Sequence, residues 1–282
     1  MQTRALRQFA GRYTKNKAAV VGLFFVTLFT LLSIFASVIF PGNPFALGPE
    51  TFNLPSPNLN SLMGTDDLGR SIFGELLYGG RVSLTVGFVA AVSAAGLGIA
   101  FGLLAGYYGG FSGEAFMRVS EIFQVVPRFF LALILVAALG TSIYNIIFSI
   151  AITSWPVIAR IVRAETLSLK EKEFVEASRA IGESDNRIMF SEILPNCLPP
   201  IIVNTSLLVG QAILTEAGLS FLGLGDPTAP TWGYMLYNAQ PFLRYAWWIA
   251  VFPGIAITLV VLGLNLIGDG LNDALNPKLR QM

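Results

Sequence analysis

Histidine is absent from the 282 residues and cysteine occurs once, at Cys197. A lone cysteine closes no intrachain disulfide, and without imidazole or a second thiolate no ordinary zinc or nickel cage can be assembled. No metal site is expected in this chain. Charge is scarce too: 12% of residues are Asp, Glu, Lys or Arg, and the formal net charge is +1. No basic excess exists to neutralise phosphates, so the case for a nucleic-acid partner falls away. The sequence also lacks any Gly-Lys dipeptide, and with it a phosphate-binding loop of the Gly-x-x-x-x-Gly-Lys-Ser/Thr kind. Any nucleotide hydrolysis must come from a separate subunit.

What is abundant is apolar surface. Hydrophobic residues make up 54% of the chain, too much for a soluble domain of this length, so the chain reads as an integral membrane protein with lipid as its solvent. Stretches free of Asp, Glu, Lys and Arg run over 18–49, 82–113, 129–159, 193–215 and 245–268, each at or above the roughly 20 residues that a membrane helix needs. The first apolar segment, from about Ala18 to Phe40, is longer than a signal-peptide core and lacks a small-x-small exit, so it is expected to be a retained helix. The third stretch, extended back to Ala115, is long enough for two helices, 115–140 and 142–163, with Leu139-Gly-Thr-Ser-Ile-Tyr144 as the turn.

That division makes six helices, and the positive-inside rule selects it. With both termini cytoplasmic, fourteen of the 18 Lys and Arg fall inside: Arg4, Arg7, Arg12, Lys15, Lys17, Arg118, Arg160, Arg163, Lys170, Lys172, Arg179, Arg187, Lys278 and Arg280. Arg70, Arg81 and Arg244 fall outside, and Arg128 falls within the third helix. Five helices would put the basic segment around 170–187 opposite the basic N-terminus. The expected fold is therefore an all-α membrane protein with six transmembrane helices. Two external segments, about 41–78 and 219–243, carry turn chemistry, and Pro156 and Pro253 are expected as tolerated kinks inside helices.

Between the fourth and fifth helices lies a polar segment that looks built to dock. Leu167, Phe174, Ala177, Ser178 and Ile181 share one helical face, with Lys170, Glu171, Lys172, Glu173 and Arg179 mostly elsewhere. Gly182 can end this helix in the left-handed conformation, and Ser184 or Asp185 can cap the next. Small residues at 177, 178, 180 and 182 let another backbone approach, and Glu176 offers a charge for pairing. The alternative is an amphipathic helix lying on headgroups, which mixed Lys and Glu favour no more than protein docking.

Phe174-Val-Glu-Ala-Ser-Arg-Ala-Ile-Gly182, leading to Ile193-Leu-Pro195, resembles the EAA loop of ABC importer permeases. Glu176, Ala177, Ser178, Gly182, Leu194 and Pro195 fall on its pattern, while Ser178 replaces an Ala and Glu192 stands where an Ile is expected. The resemblance implies that Phe174, Glu176, Ala177, Ser178, Ala180 and Gly182 couple to an ATPase, with ATP and Mg held on that partner and no cofactor in this chain. Met63-Gly-Thr-Asp-Asp-Leu-Gly-Arg-Ser71, Leu76-Leu-Tyr-Gly-Gly-Arg-Val-Ser-Leu-Thr-Val-Gly87, Gly218-Leu-Ser-Phe-Leu-Gly-Leu-Gly225, Thr231-Trp-Gly-Tyr-Met-Leu236 and the segment from Trp247 to Pro277 are similar to the dipeptide, oligopeptide and nickel branch. That implies a type I ABC importer permease fold and a C-type subunit in a cytoplasmic membrane. Its implied partners are a different B-type permease, two ATPases, an external substrate-binding protein and the bilayer. The expected organisation is 1–80 (a basic N-terminal helix, the first membrane helix and the long external loop), a permease core over 81–270 with the coupling loop at about 165–195, and a cytoplasmic tail over 271–282.

On the fifth helix Asn204, Gln211 and Thr215 share a face with Leu208 between them. Polar groups at that depth avoid lipid; they either line a passage or hydrogen-bond another helix. Glu216, at the outer end, either meets a peptide's amino terminus or caps the loop. Asp66, Asp67 and Arg70 either pair locally or contact the binding protein, with local pairing the stronger reading. The 219–243 loop resembles the family's external gate-side segment, and Asp226 and Trp232 either serve that gate or stabilise the fold. Glu121 and Arg128 are expected toward the cytoplasmic end, snorkelling to the interface. The expected activity is import of short peptides by alternating access. Its rivals are a nickel or other small-solute importer on the same scaffold, an ATP-independent secondary transporter, for which no inverted repeat is apparent, and a scaffold that anchors ATPases.

Overall fold

The computed structural model describes residues 11–275. Arg4, Arg7, Lys278, Arg280, most of the expected basic N-terminal helix and most of the tail lie outside these residues. The principal helices are α1 (Lys17–Ile34), α2 (Ala36–Ile39), α3 (Ile72–Tyr108), α4 (Gly110–Val125), α5 (Arg128–Leu139), α6 (Ile143–Leu169), α7 (Glu173–Ala180), α8 (Asp185–Arg187), α9 (Leu194–Leu219), α10 (Trp232–Ala239) and α11 (Trp248–Leu275). Among the described residues no strand forms beyond an isolated bridge between Thr65 and Ser71. Lipid leaves no water to satisfy an open sheet edge, so a chain this apolar must close its backbone hydrogen bonds within helices.

By length and composition α1, α3, α6, α11 and the segment Asp185–Leu224 can each cross a membrane, and Gly113–Val125 with Arg128–Leu139 makes a sixth if the bent pair is counted as one span. Counted so, six crossings return the chain to the side on which it began. The bend corrects the expected continuous helix over 115–140: the two halves meet at 85°. Its cause is local. Pro127 has no N–H to give and forces its predecessor out of helical conformation, and Val126 is extended at φ −94°, ψ 136°. Pro156 and Pro253, by contrast, sit inside continuous helices.

Small residues set the packing. Gly98, Gly102 and Gly106 recur every four residues along α3 against Ile158, Ala159, Val162 and Thr166 of α6. A Cβ at Gly98 would come within 2.6 Å of the Ile158 Cβ. Gly22 of α1 and Gly263 of α11 cross in the same way, each placing its backbone where the other's side chain would be. Such crossings gain close backbone contact where lipid offers no hydrophobic drive between helices.

Candidate functional site: a coupling elbow, an external cap and a polar mid-membrane face

At the end of the molecule that carries the basic residues, α7 closes in a Schellman arrangement. The Glu183 N–H donates to the Ser178 carbonyl at 3.1 Å and the Gly182 N–H to the Arg179 carbonyl at 3.0 Å. Gly182 takes φ +79°, a region that β-branched residues enter only with strain. Ser184 precedes α8 in extended conformation but makes no side-chain cap. The chain then enters a π-helical turn, Ile188–Ile193, before α9.

The inward face of this elbow differs from the apolar face read from the sequence. Val175 is the residue of α7 that enters the core, fully buried and clustered with Tyr107, Ile188 and Met189. Leu167, Phe174 and Ile181, expected together on one face, are 36%, 39% and 77% exposed. Glu176, Ala177 and Ala180 are exposed and Ser178 is partly so. Hence the motif residues point away from the body of the chain.

What fastens the elbow is a short chain of polar contacts to the end of α3. The Tyr107 hydroxyl donates to the Asp185 carboxylate at 2.7 Å, and the Arg179 guanidinium lies 5.5 Å from the Tyr107 ring centroid. Arg187 pairs with Glu183 at 3.2 Å within the elbow. Sequence reading missed Tyr107 altogether, because it lies 78 residues from Asp185 and carries no local pattern.

At the opposite end the external segments form a cap most of whose polar groups bond inside the chain. Thr231 N-caps α10, accepting from the Tyr234 N–H, and its hydroxyl donates to Glu216 at 2.6 Å. Ser220 donates to the same carboxylate oxygen at 2.6 Å, and Glu216 is completely buried. Of its two readings, meeting a peptide amine or holding the loop, the contacts are those of the second. Trp232 is 1% exposed; its indole N–H donates to the Leu76 carbonyl and its backbone N–H to Ser83 Oγ. Asp226 reaches the N-terminus of α6, accepting from the Ile143 N–H at 2.9 Å and from Thr228. Partial burial works against its charge, but these donors outweigh it and hold its carboxyl below the ordinary value.

The long external loop is organised around Asp66. One carboxylate oxygen accepts from the backbone N–H groups of Leu68 and Arg70, and the other pairs with the Arg70 guanidinium at 2.6 Å. Arg70 also meets Glu75 at 3.2 Å. Burial disfavours the arginine's charge, but Glu75, Asp66 and Asp67 more than offset that and raise its pKa. Trp248 donates to the Thr65 carbonyl at 3.1 Å, pinning the loop to α11. The local-pairing reading of these residues therefore describes what the structure contains.

Along α9 the remaining path candidates separate. Asn204 Nδ2 donates to the Pro200 carbonyl at 2.9 Å and Thr215 Oγ1 to the Gln211 carbonyl at 2.8 Å, both within their own helix. Leu208, expected between them on the same face, is buried. Gln211 is exposed and reaches a different element, accepting from the Arg128 guanidinium at 3.1 Å. An apolar groove of about 850 Å³ opens between α1, α3 and α9, lined by Val26, Phe88, Ile201 and Leu264 among others. It includes none of the four path candidates, so groove and candidates occupy different faces of α9.

A bundle of six crossings with an external cap and an exposed elbow defines a transport permease subunit, not an enzyme. The matching solved structures share this fold: chains of the inward-facing MetNI methionine ABC transporter align with TM-scores of 0.58 and 0.57 at 21% and 19% identity. The first covers 72% of this chain and 96% of its own, the second 70% and 94%. Residues 98–281 match the family described as binding-protein-dependent transport system inner membrane component, and residues 5–57 match the N-terminal TM domain of oligopeptide transport permease C. Similar relatives include the dipeptide transport system permease protein DppC of Alkalihalophilus pseudofirmus, 45% identical over 94% of this chain and 88% of that protein. DppC of Escherichia coli K12 is 43% identical over 98% and 94%, and the oligopeptide transport system permease protein OppC of Bacillus subtilis 39% over 96% and 88%. The chain belongs to the family of binding-protein-dependent transport system inner membrane components, in its dipeptide and oligopeptide permease branch.

Proposed function

We propose that this chain is one of two different permease subunits in an ATP-driven importer of short peptides, set in the cytoplasmic membrane. Two ATPase subunits bind it from inside, and an external binding protein delivers the substrate. Relatives named for dipeptide and oligopeptide transport support the substrate class. The observation that carries the ATP-coupling part is the elbow: Phe174, Glu176, Ala177, Ala180 and Ile181 are left uncovered on the basic face, while Val175 alone anchors α7 inward. An isolated helix this short is marginal in water, so its form is held by the Schellman close and the Tyr107–Asp185 bond.

Nucleotide binding on the ATPases favours one geometry of their cleft; an elbow seated there follows it, and α3 and α9 move with the elbow as a two-state unit. ATP and Mg belong to the partner, and this chain performs no bond chemistry. The path candidates Asn204, Gln211 and Thr215 lie along α9, which leaves the elbow directly.

Gly182→Val, which forces a β-branched residue to φ +79°, and Glu176→Lys, which reverses the charge of the elbow, are the tests. Both variants are expected to abolish peptide uptake by cells while inserting in the membrane at wild-type levels. Normal uptake by both would remove the elbow from the coupling pathway.

A further inference from the structure

Arg128 opens α5 directly after the break at Val126–Pro127, and its guanidinium donates to Gln211 Oε1 at 3.1 Å. The position of Gln211 in the bundle fixes its depth. Neighbouring Gly210 packs on Val261 and Leu264, close to the middle of α11, and Gly87, close to the middle of α3, packs on Ile213 and Val209. Gln211 and the guanidinium bound to it therefore lie near mid-membrane. This corrects the expectation that Arg128 snorkels to the cytoplasmic interface.

Both side chains are exposed on this chain. An arginine facing hydrocarbon at the bilayer centre is strongly disfavoured, so this face is turned toward a watery or protein-lined space. Among the described residues the ion pairs use Arg70, Arg118 and Arg187, and none supplies Arg128 with a carboxylate. Gln211 spends its side-chain carbonyl on the arginine, which leaves its NH2 group and the remaining guanidinium N–H groups as donors. A set of donors around one positive charge suits an acceptor-only anion, and the planar guanidinium fork matches a carboxylate.

We propose that Arg128 and Gln211 form a station in the translocation path that holds the carboxylate of the transported peptide midway across the membrane. This rests on the peptide-import reading above. The station sits where the helix is broken, next to α9, whose other end is continuous with the coupling elbow, so movement of that elbow alters the spacing between Arg128 and Gln211. A peptide is thereby held while the path is closed to both sides and released when the spacing changes.

The test uses the whole complex in proteoliposomes with its binding protein, and radiolabelled dialanine as the probe. Arg128→Gln is expected to lower maximal uptake about tenfold or more, the loss typical of removing one partner of a charged hydrogen bond, with dialanine affinity of the binding protein unchanged. Arg128→Lys should retain part of the rate, keeping the charge but losing the fork. Gln211→Glu separates the station from a merely structural bond. A carboxylate placed against Arg128 competes with the peptide's own and should lower uptake, whereas a structural Arg128–Gln211 contact would be strengthened and uptake preserved. Preserved uptake in Arg128→Gln or in Gln211→Glu overturns the proposal, as does loss of the second permease from purified Arg128→Gln complexes, which would mean that Arg128 pairs with a partner carboxylate. Failure of the wild-type complex to import dialanine or a longer peptide would instead defeat the peptide reading itself, and the station with it.

Discussion

The two ends of this molecule handle polar groups in opposite ways. At the external end Asp66, Arg70, Glu75, Glu216, Thr231, Trp232 and Trp248 are buried or nearly so and bonded to one another or to nearby backbone. At the basic end α7 buries only Val175 and leaves Phe174, Glu176, Ala177 and Ala180 bare. A buried polar group left without partners is costly, so an end that bonds most of its groups internally, with only the second oxygen of Glu216 left over, is built as a rigid cap. An end with an uncovered apolar and charged face is built to be completed by something else.

Stability measurements on the detergent-solubilised complex should reproduce this contrast. The largest effect is expected from Trp232→Ala, which empties a fully packed site and removes the indole bond to the Leu76 carbonyl. A loss of ~3–5 kcal/mol should appear as a lowered unfolding midpoint and reduced protein in the membrane. At the basic end Tyr107→Phe removes one hydrogen bond, for about 1 kcal/mol. Its signature is a fall in uptake with protein level unchanged, because the bond ties the elbow to α3.

Smaller still is the contribution of Asp226. Its carboxyl lies below the ordinary value of 3.8 because donors from Ile143, Thr228 and Ala229 favour the charged form. The stabilisation is therefore complete above that value and lost only as pH falls through the lowered one. The hydrogen-exchange protection of residues 220–231, taken relative to the intrinsic rate at each pH, should be constant across neutral pH and fall only in acid, and in Asp226→Asn it should already be lowered at neutral pH. Phe174→Ala should shift stability by no more than about 0.5 kcal/mol and yet reduce uptake. A large stability loss there would erase the difference between the two ends.

The hydropathy pattern carried the helix count and the basic residues carried the sidedness, because both depend on local composition against a uniform solvent. The glycine at the elbow was legible for the same reason: its left-handed turn is a local demand that Gly182 meets. The break at Pro127 was within reach, since a proline thirteen residues before the turn at Gly140 announces a helix boundary, but the long apolar run concealed it. What could not be read were contacts between distant segments. Tyr107 with Asp185, Arg128 with Gln211 and Trp248 with Thr65 are each formed by folding alone. The sequence showed an apolar face on the elbow but not which side of it packs inward; that role falls to Val175 and leaves Phe174 and Ile181 exposed.

Whether the bare face of the elbow is an ATPase seat is tested most directly by placing a cysteine at Ala177 and adding a short bifunctional cross-linker to the assembled complex in membranes. Cys197 is buried and does not compete. The account predicts a cross-link from position 177 to an ATPase subunit whose yield changes when ATP is added. An elbow that cross-links to no ATPase, while the complex still imports peptide, would contradict it.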